Sequence, residues 1–243
     1  MRRDAATEVE VFPDLQGLAL AAARRLVALA AERAEEAGRV SIALSGGRTP
    51  LPLYELLAGE LRGRVPWDVT ELYFGDERCV PPTHPDSNYA AARRALLSRV
   101  PAAKVFRIEG ERPPEAAARD YDATLHAAFP DPLAPTFDLA LLGVGADGHT
   151  ASLFPGSPAL DEGARWAVAV PSPAAAEPRV PRVTLTPPVL GRSREAWFLC
   201  AGTDKREVVA RILAGRAPEL PAARVRGTLR TVWLLDRAAR GDS

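Results

Sequence analysis

The sequence predicts an α/β fold, an open and mainly parallel sheet with helices on both faces. Three observations predict it. Short apolar runs alternate with stretches of helical periodicity along the chain, and strands that alternate with helices pair in parallel. The run Val40 to Leu44 is apolar throughout except at Ser41, as in a buried strand. Four glycine-rich or charged turns directly follow strands, where ligands bind in such sheets.

The elements follow in order. Val9 to Phe12 reads as a short strand. Asp14 to Ala37 reads as a long helix, because Leu15, Leu18, Ala22, Leu26 and Leu29 recur at three- and four-residue intervals. Gly38 closes it, since glycine tolerates a positive φ. Val40 to Leu44 is a strand, and the turn Ser45 to Pro50 opens a helix over Leu51 to Leu61. Proline suits a helix start, where its missing N–H has no intrahelical partner. Val69 to Phe74 is the next strand, with helices expected over Tyr89 to Ser98 and Pro114 to Ala128. Asp138 to Leu142, Trp166 to Val170, Val183 to Thr186, Ala196 to Ala201 and Thr231 to Leu235 read as strands, and Asp204 to Ala214 as a helix. Pro171, Pro173, Pro178 and Pro181 mark a loop. No repeat or linker divides the chain, so one domain over residues 1–243 is expected, with a cap from the Pro-rich segments.

Composition narrows the function. Arg plus Lys and Asp plus Glu each total 31, so no overall field attracts nucleic acid or an anionic membrane, and an anion site must be local. Lys104 and Lys205 are the only lysines, which makes a lysine at a special position informative. Cys79 and Cys200 have no metal or disulfide spacing, and Cys200 ends an apolar run as a buried thiol. The absence of a signal core after Met1 and of a bilayer-length apolar stretch leads to the expectation of a cytoplasmic protein.

The four turns carry the chemistry. Ser45-Gly46-Gly47-Arg48-Thr49-Pro50 reads either as a phosphate cradle, with glycines admitting an anion to helix N-terminal amides, or as a tight turn whose hydroxyls cap the helix. Gly75-Asp76-Glu77-Arg78 reads as a solvated charge run or, from its place after a strand, as a site in which Arg78 meets phosphate and Asp76 enters the pocket. Gly143 to Gly148 satisfies G-x-G-x-x-G, but Asp147 and His149 intrude and Pro155-Gly156 cuts short any helix, so nicotinamide binding is rejected. In that glycine loop Asp147 and His149 reach one pocket, where imidazole moves protons near neutral pH, or His149 merely braces the loop. In Gly202-Thr203-Asp204-Lys205-Arg206, Thr203 is the expected N-cap. Two cations in a first turn oppose the helix dipole unless a bound anion compensates.

Together these turns resemble the 6-phosphogluconolactonase family. The matching segments are Ser45 to Pro50, Gly75 to Arg78 with Ser87-Asn88-Tyr89, Gly143 to Pro155, Arg182 to Thr186 and Gly202 to Lys205, in the family's order. The resemblance implies a three-layer α/β/α sandwich with a Rossmann-like open sheet, shared with glucosamine-6-phosphate deaminases. It implies hydrolysis of 6-phospho-D-glucono-1,5-lactone to 6-phospho-D-gluconate in the oxidative pentose phosphate pathway, without metal or organic cofactor. It assigns His149 as acid/base, with Asp147 and Asp76 as polar partners. Ser45, Gly46, Gly47, Arg48, Thr49, Arg78, Arg182 and Lys205 become substrate or phosphate contacts. Deaminases carry a ring-opening acid five residues past the histidine; this chain has Phe154 there. The expected partner is a sugar phosphate lactone, with no nucleic acid and no membrane, and the protein is expected as a monomer or weak homo-oligomer. The rivals are a sugar-phosphate isomerase/deaminase and a non-catalytic sugar-phosphate-binding protein.

Overall fold

A computed structural model describes residues 6–102, 104–131, 136–173 and 177–241. In chain order the elements are β1 (Ala6–Phe12), α1 (Leu15–Ala37), β2 (Val40–Leu44), α2 (Leu51–Ala58), β3 (Thr70–Phe74), β4 (Asp76–Arg78), α3 (Asn88–Ala92), β5 (Lys104–Val105), α4 (Pro114–Ala128), β6 (Leu139–Leu142), β7 (Ala167–Val170), β8 (Arg182–Leu185), α5 (Pro187–Leu190), β9 (Glu195–Cys200), α6 (Arg206–Leu213), α7 (Pro221–Arg224), β10 (Arg230–Asp236) and α8 (Arg237–Arg240). The expected elements are present, shifted at their ends by a few residues. Of the Pro-rich segment expected as a loop, residues 174–176 lie outside the described residues.

The main sheet runs β1-β10-β9-β6-β2-β3-β5 among the described residues, and every pairing in it is parallel. β2, β3, β6 and β9 are buried at every residue, because helices cover both faces of the central strands. At the edge, β1 alternates: Val9 and Val11 are exposed, while Glu8 and Glu10 both pair with Arg25 of α1. The polar exception in β2 has a partner. Asp138 accepts from the Ser41 backbone N–H and hydroxyl, both at 2.9 Å, and its other oxygen accepts from Arg33 Nε at 2.7 Å. This buried network ties β2 to the start of β6.

α1 begins where Asp14 accepts a 2.8 Å bond from the Gly17 amide and ends at Gly38 with φ +64°. It buries Leu18, Ala19, Ala22, Ala23, Leu26 and Ala30. The core continues through Trp197, Phe198, Tyr73 and Phe137, all fully buried. Removing such a ring typically costs about 3–5 kcal/mol.

Two expectations are corrected. The charged segment after β3 is not a turn: Asp76 to Arg78 form a strand in a second, antiparallel sheet ordered β4-β8-β7. Charge suggested solvent, but strand pairing with β8 satisfies its backbone. Thr203 does not cap the following helix. Residues Thr203–Lys205 form a single tight 3₁₀ turn, and no side chain caps either that turn or α6.

The connectivity makes the site. From β2 the chain steps to β3 on one side, then returns to place β6 on the other. The strand order therefore reverses between β2 and β6, and a crevice opens there beyond the carboxyl ends. β9, β6, β2 and β3 are adjacent, so the turns that follow them share one rim.

Candidate active site

That rim encloses a cavity of about 290 Å³. Ser45, Gly46, Gly47, Arg48, Thr49, Asp76, Arg78, His149, Arg182 and Lys205 all line it. Asp147 does not: it lies behind the imidazole, with Oδ1 2.6 Å from His149 Nδ1.

The first turn is pinned from below. The Tyr54 hydroxyl donates to the Ser45 carbonyl at 2.7 Å and accepts from the Ser45 amide at 3.0 Å. Burial pushes the Tyr54 phenol well up, so it stays neutral. No side chain caps α2, which removes the reading of Ser45 and Thr49 as mere helix caps. A Cβ on Gly46 would lie 2.0 Å from Asn88 Oδ1, so only glycine lets this turn close over α3.

β4 sorts its charges by strand alternation. Asp76 and Arg78 share one face and meet the cavity, and Glu77 points the other way. Glu77 accepts from the amides of Arg78, Asn88 and Tyr89 at 2.7, 2.7 and 2.8 Å and from the Ser87 hydroxyl at 3.0 Å. Burial raises its carboxyl above the usual range, against the opposing pull of those four donors. The residue anchors the start of α3 rather than the cavity.

Asp76 is buried and doubly held, by Asn88 Nδ2 at 2.9 Å and by the Ser152 hydroxyl at 2.6 Å. Ser152 thereby joins the His149 loop to β4. In the β4–β8 register Arg78 stands directly opposite Arg182, and Asp76 opposite Thr184. Like charges placed opposite each other destabilise a sheet. Arg182 is only 3% exposed, and Nε of both arginines lacks a hydrogen-bond partner among the described residues. Burial lowers the affinity of Arg182 for its proton, as does Arg78, while Asp76 and Asp86 work against them. Arg78 and Arg182 each spend one terminal nitrogen on a carbonyl, Asp86 at 2.7 Å and Pro178 at 3.1 Å. Two cations on one cavity wall, Arg182 buried and Arg78 partly buried, keep unused donors there, an arrangement suited to an anion. Lys205 joins the rim from the far turn, with Nζ 2.9 Å from Asp204.

The His149 loop is closed by Gly145, whose amide donates to the His149 carbonyl at 2.8 Å. A Cβ on Gly145 would stand 2.0 Å from His149 Nδ1. Asp147 also accepts from the His149 amide at 3.1 Å. Burial works to raise the Asp147 carboxyl, but the His149 hydrogen bond and charge and the backbone amides outweigh it, leaving it below the usual range. No helix opens in this turn, so the geometry of a dinucleotide fingerprint is missing. Ala151 next takes φ +49°, a left-handed conformation that a residue with a Cβ rarely holds. The Thr150–Leu153 turn it belongs to sends Ser152 inward to Asp76.

With this geometry in view, comparison with known proteins is decisive. Residues 13–233 match the family of glucosamine-6-phosphate isomerases/6-phosphogluconolactonase. The chain belongs to this family. Within it, the chain is 39% identical over 242 residues to a 6-phosphogluconolactonase of Mycobacterium tuberculosis, covering 96% of this chain and 97% of that one. It is 42% identical to a 6-phosphogluconolactonase of Homo sapiens, covering 95% and 92%. A solved 6-phosphogluconolactonase from Trypanosoma brucei superposes with a TM-score of 0.85 at 31% identity, covering 98% and 99%. The α/β/α sandwich expected for the 6-phosphogluconolactonase family is the fold observed.

Sequence reasoning missed the residues that hold the site together. Tyr54 gave no signal beyond an apolar position in a helix. Asn88 stood in a matching segment without a role, Ser152 sat in the most specific motif without one, and Phe154 signalled only the missing ring-opening acid. Among the described residues no cluster of three or more His, Cys, Asp or Glu is placed to hold a metal ion, and no helix is long and apolar enough to cross a membrane.

Proposed function

We propose that the protein hydrolyses 6-phospho-D-glucono-1,5-lactone to 6-phospho-D-gluconate. The observation that carries this reading is one cavity wall holding two opposed arginines, Arg182 buried and Arg78 partly buried, beside an imidazole whose Nδ1 faces a carboxylate. Nearly full-length similarity to 6-phosphogluconolactonases supports it.

The Asp147 carboxylate keeps the Nδ1 proton on His149 and leaves Nε2 as the free base. Nε2 takes a proton from water as its oxygen attacks the lactone carbonyl carbon. The carbonyl becomes a tetrahedral oxyanion. As that intermediate collapses, the bond to the ring oxygen breaks and the imidazolium gives its proton to that oxygen. The new carboxylic acid then releases a proton to solvent. Glycine-loop amides or an arginine balance the oxyanion, a contribution of about 2.7–4 kcal/mol per donor in other enzymes. Arg78, Arg182 and Lys205 with the Ser45–Thr49 turn grip the phosphate, using remote binding energy to place the ring. Asp76 offsets part of the charge of Arg182. No metal or organic cofactor takes part.

Phe154, at the position where the deaminases carry an acid, favours the lactonase over the deaminase. The protein acts as one domain, as a monomer or weak homo-oligomer, in the cytoplasm and in the oxidative pentose phosphate pathway. The test uses lactone freshly formed from glucose 6-phosphate, with 6-phosphogluconate followed with and without the protein. Acceleration well above spontaneous hydrolysis is expected. A rate equal to the spontaneous one would refute the reading, and ammonia release from glucosamine 6-phosphate would put a deaminase in its place.

A further inference from the structure

We infer that Phe154 is a positioning residue for this reaction: its ring is the wall against which both the His149 imidazole and the Arg182 guanidinium are set. The inference rests on the lactonase reading and adds to it a residue outside the cavity lining.

The His149 and Phe154 ring centroids are 4.7 Å apart with planes inclined at 45°. The Arg182 guanidinium carbon lies 5.4 Å from the Phe154 ring centre. Phe154 is half-buried, packed against the core, and absent from the cavity lining. It lies three residues after Ala151, whose left-handed φ of +49° turns the chain just past His149.

Each neighbour needs this support for a separate reason. The Asp147 hydrogen bond fixes one edge of the imidazole, but a single in-plane bond leaves the ring free to swivel about that contact. The Phe154 ring, packed at 45° beside the imidazole, limits the swivel and aims Nε2. Arg182 has one terminal nitrogen on the Pro178 carbonyl and, among the described residues, an Nε without a partner, so these hydrogen bonds alone do not define its plane. The aromatic face supplies the missing contact. In the proposed cycle the imidazole becomes cationic close to a permanent cation. The negative face of the ring attracts both and eases that encounter.

The test compares Phe154→Leu, which keeps bulk and loses the flat face, with Phe154→Tyr, which keeps the face. Phe154→Leu is expected to lower kcat about tenfold through loss of alignment and to raise KM several-fold through Arg182. Phe154→Tyr is expected to stay within about twofold of the parent on both, scaled against the same alignment effect. The chain has three histidines, so the His149 Cε1–H proton resonance is assignable by its loss in His149→Ala. It should move in Phe154→Leu while the His84 and His126 lines stay in place. If Phe154→Leu does not fold, Phe154→Met makes the same comparison. Leu or Met variants with parental kcat and KM and an unmoved His149 line overturn the inference. So does Phe154→Tyr losing as much as Leu, which would show that keeping the aromatic face does not keep the alignment. Failure of the lactonase reading looks different: the parent protein would not accelerate lactone opening, whereas the resonance would still report the ring contact.

Discussion

Nδ1 of His149 and Oδ1 of Asp147 stand 2.6 Å apart, joined across a turn that Gly145 closes. The pair is local in sequence, yet only the loop's fold brings the two side chains edge to edge. His149→Ala is expected to lower kcat about 10²–10⁴-fold, the usual worth of general acid–base help, with KM little changed. Asp147→Asn should lower kcat by a smaller factor, because the imidazole stays but its proton is no longer held on Nδ1. Steady-state rates on fresh lactone check both; undiminished kcat in His149→Ala removes the residue from the mechanism.

Arg182 separates binding from stability. It faces Arg78 in register and is desolvated, so the unliganded fold gains little from its charge. Arg182→Met is therefore expected to leave Tm unchanged or raised while increasing KM at least about tenfold, the loss of one charge-assisted contact. Inorganic phosphate should raise the Tm of the parent by mass action and have much less effect on the variant. Equal phosphate stabilisation of both proteins, read by thermal melts, would take Arg182 out of the anion site.

Gly145 tests the loop geometry. Its backbone is not left-handed, so alanine fits the chain, yet the new Cβ would fall 2.0 Å from His149 Nδ1 and 2.6 Å from Asp147 Oδ1. Gly145→Ala should fold and lose kcat by about 10²-fold, because the imidazole must rotate away. Circular dichroism and kinetics together check this; parental kcat in a folded variant would show that the placement of the imidazole is not critical.

Alkaline pH probes Cys79. Burial, helped by the Glu77 charge, pushes its thiol up to about 11, above the usual thiol range. The folded state thus holds this proton more tightly than the unfolded state. The resulting stability is complete below the unfolded thiol pKa and declines as pH rises toward about 11. Tm measured from pH 8 upward should fall more steeply for the parent than for Cys79→Ala, by an amount reflecting about 1–2 kcal/mol. Parallel curves would place the thiol in an ordinary environment.

By itself the sequence determined the alternation of strands and helices, the parallel sheet and the identity of the rim. Val40 to Leu44 is strand because its residues are apolar without a break, and Gly38 stops α1 because it reaches φ +64° at little cost. Those signals are local, written in periodicity and in the few residues that permit special backbone angles. Tertiary structure alone decided that Asp76 to Arg78 is a strand, that Arg78 faces Arg182, and that Ser152 and Phe154 brace the site. Arg78 and Arg182 are more than a hundred residues apart, and Asp76 and Ser152 are 76 apart. No periodicity within a segment encodes which distant strand it will meet. That choice is settled only when the sheet is buried and each backbone polar group must find its partner.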